Sequence, residues 1–114
     1  MIHPRGVIEV NGIRADFDPS RAGGGWEYCW RSEDPLLEAI IRQIARRLKC
    51  LHQDLTIAAA IHITKVAEKL GGRVVSMHDC GPIPEDYPES WIDECLQDIP
   101  EFLWDQYRKY LRKR

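Results

Sequence analysis

Two short runs in this chain, Cys50-Leu51-His52 and His78-Asp79-Cys80, are mirror images that each set a thiol two residues from an imidazole. Brought together by folding, they would offer two sulfur and two nitrogen ligands, a set that suits tetrahedral zinc. Neither run has the CxxC or HxxxH spacing that presents two ligands from one turn. Cys50, His52, His78 and Cys80 therefore stand as a third-ranked metal site, implying a metal- or thiol-dependent enzyme. Reduced thiols and ordinary polar imidazoles are the preferred reading. Catalysis has no firmer basis. His78 and Asp79 are neighbours at a strand end, where successive side chains point to opposite faces. No nucleophile elbow, phosphate loop or paired-carboxylate motif occurs. Gly23-Gly24-Gly25 lies between strands and not before a helix, so it reads as a loop and not as a phosphate cradle. His62, on an apolar helical stretch, reads as a core or edge histidine. No catalytic residue is assigned, no cofactor is expected, and the chain reads as a non-enzyme.

Basic residues supply a second-ranked alternative. Arg42, Arg46, Arg47 and Lys49 crowd one helical stretch, and Lys65, Lys69 and Arg73 follow on the next. Such a patch can neutralise phosphates of a nucleic acid. Against it, the polar face of the N-terminal strands carries Glu9, Arg14 and Asp16, with Glu27 and Arg31 beside them, and is not cationic. Basic residues opposite a buried stripe more commonly form a solvated helix face.

The leading expectation comes from the C-terminal segment. From Val74 to Tyr107 there are nine acidic residues and no Lys or Arg, whereas the last seven residues carry five positive charges. Phe102, Trp104, Tyr107 and Tyr110 exceed what one helical stripe needs. Successive helical residues turn by about 100°, so Phe102 and Trp104 cannot both face inward. Trp and Tyr are common interface anchors, and segregated charge steers encounter. The reading is a small non-catalytic interaction module, a regulator, inhibitor or assembly subunit. Trp104, Tyr107, Tyr110 and Leu111 are its expected anchors, and Glu89, Asp93, Glu94 and Asp105 its steering charges. The partner is a protein or a second copy of the chain. The competing view is a terminal helix simply docked on its own domain.

These residues need elements to hold them. Asn11-Gly12 supplies the positive φ that a two-residue type I′ turn requires. That turn sets Val10 opposite Ile13, Ile8 opposite Ala15 and Gly6 opposite Phe17 on an apolar face. Glu9 then faces Arg14 and Val7 faces Asp16 on the other. Trp26 to Arg31 alternates and predicts a third strand with Trp26, Tyr28 and Trp30 on one side. Asp34-Pro35 opens a first helix, with Leu36, Leu37, Ile40, Ile41, Ile44 and Leu48 at helical spacing. Asp54 caps a second helix, apolar over a wide arc, that Gly71-Gly72 ends. Arg73 to His78 predicts a fourth strand. Its adjacent valines suggest that both faces are covered or that it is central. A prolyl loop leads to helix from about Glu89, interrupted at Pro100.

The order is β-β-β-α-α-β-α-α, an α+β fold with a three-stranded antiparallel meander, a fourth strand, and helices on one face. The 114 residues suit a single domain, 1–114, with 89–114 as a C-terminal helical segment. With 44% hydrophobic and 30% charged residues and a net charge of −2, composition favours a globular chain and selects neither polyanion nor membrane partners. No apolar run approaches a membrane span and the N-terminus lacks an apolar leader, so a cytoplasmic location is expected.

Overall fold

A computed structural model describes residues 3–21, 25–47, 54–83, 85–86 and 99–113. It contains a four-stranded antiparallel sheet in the order β3-β2-β1-β4. The strands are β1 (Arg5–Val10), β2 (Ile13–Phe17), β3 (Trp30–Ser32) and β4 (Arg73–His78). Helices α1 (Pro35–Arg47) and α2 (Leu55–Lys69) follow the meander, and α3 (Glu101–Arg112) closes the chain. The α+β class and this element order match the sequence reading. The first of the two expected C-terminal helices falls outside the described residues.

The hairpin has the register set by its turn: Val10–Ile13, Ile8–Ala15 and Gly6–Phe17 pair across β1 and β2. Asn11 (φ 52°) and Gly12 (φ 80°) both occupy the left-handed region, as a type I′ turn demands. Ile8, Val10, Ala15, Phe17 and Trp30 point inward and are buried. The helices cover this face.

Both central helices start where side chains replace missing backbone partners. Leu37 N donates to Asp34 Oδ1 at 2.8 Å, and Thr56 N to Asp54 Oδ1 at 2.9 Å. Leu37, Ile40, Ile41 and Ile44 form the inward stripe of α1, while α2 is the more buried helix, with Ala58, Ala59 and Ala60 all buried. Gly71, at φ 77°, ends α2.

Two strands differ from expectation. Trp26–Cys29 is a 3-10 turn, and β3 is only the three residues Trp30–Ser32. A 3-10 turn brings residues three apart onto one side, so Cys29 is buried beside half-buried Trp26, and Tyr28 turns out to solvent. Alternation of aromatic and polar residues thus came from a turn and a short strand joined end to end. The second difference is β4, which pairs with β1 and is an edge strand among the described residues. Its pairing skips Val75, because Val7 faces Ser76 while Ile8 faces Val74. A bulge of this kind leaves one residue unmatched, and it explains two adjacent half-buried valines without a central position.

Candidate functional site

The C-terminal helix is set by Pro100, whose φ of −63° and lack of an N–H suit a helix start. Trp104, Tyr107 and Leu111 follow at intervals of three and four, the spacing of one seam. All three are buried, Trp104 at 1% exposure, and join the same core as Leu37, Ile41 and Ile44. The Trp104 and Tyr107 rings meet edge to face with centroids 6.3 Å apart. Tyr107 Oη donates to Gln43 Oε1 at 3.2 Å and accepts from Arg47 at 3.5 Å. Arg108 donates to the Lys69 carbonyl at 2.6 Å, satisfying the C-terminal end of α2. Expected anchors Trp104, Tyr107 and Leu111 are therefore spent on the chain's own core and cannot serve as surface contacts.

What remains outside is a different set. Phe102 is 61% exposed and Tyr110 52% exposed. They lie eight residues apart with exposed Gln106 midway, so all three share one ridge of α3. Phe102 was not among the expected anchors. Its spacing from the inward seam is the signal that places it outside. Asp105 and Lys109, four apart and both exposed, flank the ridge on one side. Asp105 pairs with Arg108. Of the other steering charges, Glu89, Asp93 and Glu94 lie outside the described residues.

The basic patch is largely engaged. Arg42 donates to the Trp30 carbonyl through Nε (3.3 Å) and Nη2 (3.2 Å), and meets Glu38 at 3.3 Å. Arg46 faces Glu27 at 3.7 Å, and Arg47 turns toward Gln43 and Tyr107. Lys65, Lys69 and Arg73 pair with Glu68, Glu101 and Glu9. Lys49 lies outside the described residues. Among the described residues this arrangement mixes signs and presents no continuous cationic stripe.

The metal set is not assembled by the described residues. Cys50 and His52 lie outside them. His78 is exposed, and half-buried Cys80 directs its thiol to the carbonyls of Arg5 (3.6 Å) and His78 (3.5 Å). Burial raises the Cys80 thiol pKa above its ordinary value. No three His, Cys, Asp or Glu side chains among the described residues could hold one ion.

His62 is the buried polar centre of the fold, at 1% exposure. Phe17, Trp26 and Trp30 surround it with ring centroids 5.2, 4.9 and 5.5 Å away. Trp30 Nε1 donates to His62 Nε2 at 2.6 Å. An indole N–H can only donate, so Nε2 accepts and the neutral ring carries its proton on Nδ1. That Nδ1 is buried without a partner among the described residues. Burial depresses the imidazole pKa to about 3.

Comparison with protein-family models, with curated proteins and with solved structures gives no match. No helix of the described residues is long and apolar enough to cross a membrane. Function therefore has to be read from the chain's own surface.

Proposed function

We propose that this chain is a small non-catalytic interaction module that docks through the outward ridge of α3, and that the ridge receives a second copy of itself. One observation carries the reading: Phe102 and Tyr110 stay exposed on one ridge after Trp104, Tyr107 and Leu111 have filled the core. Two large rings eight residues apart span about 12 Å of helix. A two-fold axis near Gln106 would set Phe102 of one copy beside Tyr110 of the other. In such an antiparallel pair the same flank of each helix meets, running in opposite directions. Asp105 of one copy then lies near Lys109 of the other, twice over. A self-complementary patch is what an isologous contact requires.

A single helix pair buries an area at the low end for specific complexes, so the expected dimer is weak and exchanging. Sedimentation equilibrium over a concentration series measures it. The wild type should associate at roughly tens to hundreds of micromolar. Phe102→Asp should abolish association while leaving the circular dichroism spectrum unchanged. Asp105→Lys or Lys109→Asp alone should weaken it, because like charges then face each other, and the double reversal should restore it. A wild type that stays monomeric to about 1 mM removes the proposal.

A further inference from the structure

A second feature, on a different part of the surface, carries a binding site that no motif in the sequence announces. Arg21, Tyr28, Arg31 and Arg42 line one open depression of about 430 Å³. They come from four elements: the 3-10 turn Pro19–Arg21, the 3-10 turn Trp26–Cys29, β3, and α1. Their guanidinium groups are unequally occupied. Arg21 Nη2 holds Asp16 at 2.6 Å, but its Nη1 is buried with no partner among the described residues. Arg42 is fixed by the Trp30 carbonyl and Glu38. Arg31 is exposed opposite Asp16 in the β2–β3 register. It has no hydrogen bond or ion pair to a described side chain. Arg21 and Arg42 are thus held by Asp16, Glu38 and the Trp30 carbonyl, and Arg31 is the cation of this depression left uncommitted among the described residues. Beside them stands the ring of Tyr28, 51% exposed.

We infer that this depression binds a nucleotide, a phosphate-bearing ligand with a stackable base, through Arg31 on the phosphate and Tyr28 under the base. Guanidinium forks match phosphate oxygens and are weakly hydrated. Exposed aromatic rings beside cationic grooves stack bases with little regard for their identity. The volume falls within the range of small-molecule sites. This site is separate from the α3 ridge and does not depend on self-association.

The same chemistry arrives free or within a single strand, so titration of the full chain uses three probes at low salt: inorganic phosphate, adenosine monophosphate and a short oligothymidylate. Adenosine monophosphate should bind at least about tenfold tighter than phosphate. Tyr28→Ala should erase that advantage, and Arg31→Gln should weaken the nucleotide by about tenfold. Both side chains are exposed, so the variants should keep the wild-type melting temperature. Equal affinity for adenosine monophosphate and oligothymidylate assigns the free nucleotide as ligand. An oligonucleotide bound much more tightly, with affinity falling steeply as salt rises, assigns the single strand. The inference is overturned if neither nucleotide probe binds, if phosphate alone binds as well as the nucleotide, or if Arg31→Gln leaves nucleotide affinity unchanged.

Discussion

One buried imidazole ties the stability of this fold to pH. His62 stays neutral in the fold because burial pushes its pKa from 6.5 to about 3. The unfolded chain protonates it at its ordinary value, so between those two pH values the unfolded state holds a proton that the native state refuses. Stability is therefore fully present above pH 6.5 and is lost as pH falls toward 3, at up to about 1.4 kcal/mol per pH unit. Asp18 acts lower. Desolvation tends to raise its pKa, but the Ser20 hydroxyl and N–H and the His3 imidazole outweigh that and hold it at about 2. Its contribution fades only below pH 3.8, lower than the pH at which His62 begins to act. His62→Gln keeps an acceptor for the Trp30 indole and has nothing to titrate. Urea midpoints taken every half pH unit should fall steeply for the wild type between pH 6.5 and 3.8 and run nearly flat for the variant. Parallel curves would show that the buried ring is not the group responsible.

Elements here meet at distances that side chains decide. Gly6, on β1, lies under α2, and a Cβ placed there would sit 2.6 Å from Ile63 Cδ1, inside any tolerable contact. Ile63 is itself fully buried and has nowhere to go. Gly6→Ala should cost about 1–3 kcal/mol by overpacking. Ile63→Val removes the offending methyl, so the double variant should be more stable than the two separate losses predict. Denaturant unfolding of all four chains measures that coupling, expected at about 1 kcal/mol or more. Additive losses would mean that the sheet shifts away from α2 instead. This close approach is not visible in the sequence, where Gly6 reads only as an apolar-face residue opposite Phe17. The hairpin is visible, because Asn11-Gly12 and the alternation around it depend on backbone geometry within a few residues. Trp26 to Arg31 misleads for the complementary reason. Six residues of alternation fit a strand, and the Tyr28 N–H bond to the Gly25 carbonyl, three residues back at 3.3 Å, reveals the turn. The Arg21, Arg31 and Arg42 cluster was equally hidden, since residues ten or eleven apart meet only through packing.

At the scale of the molecule, the question is whether α3 is an appendage or a wall. The reading from sequence treats the meander, the two central helices and the fourth strand as closed, with aromatic surface left over on the tail. Ile99, Trp104, Tyr107 and Leu111 instead belong to the one core that contains Ile8, Phe17, Leu37 and Ile41. The spacing of Trp104, Tyr107 and Leu111 is legible in the sequence, but that these three face the core while Tyr110 faces out is not. Periodicity reports which residues share a face and says nothing about how much room the rest of the chain leaves. Removing the Trp104 side chain should consequently do more than loosen a terminal helix. A buried Trp→Ala change costs about 3–5 kcal/mol, which for a domain of this size lowers the melting temperature by roughly 10 °C or more. Because Trp104 belongs to the one core shared by α1 and the sheet, the loss should appear in one cooperative transition. Near-ultraviolet dichroism, sensitive to packed Trp30, and far-ultraviolet dichroism, sensitive to all helices, should report the same lowered midpoint. If the far-ultraviolet signal instead lost only one helix while the packed aromatic signal kept its wild-type midpoint, α3 would be an appendage. The ridge of Phe102 and Tyr110 would then lack the rigid backing that an antiparallel pair of helices needs.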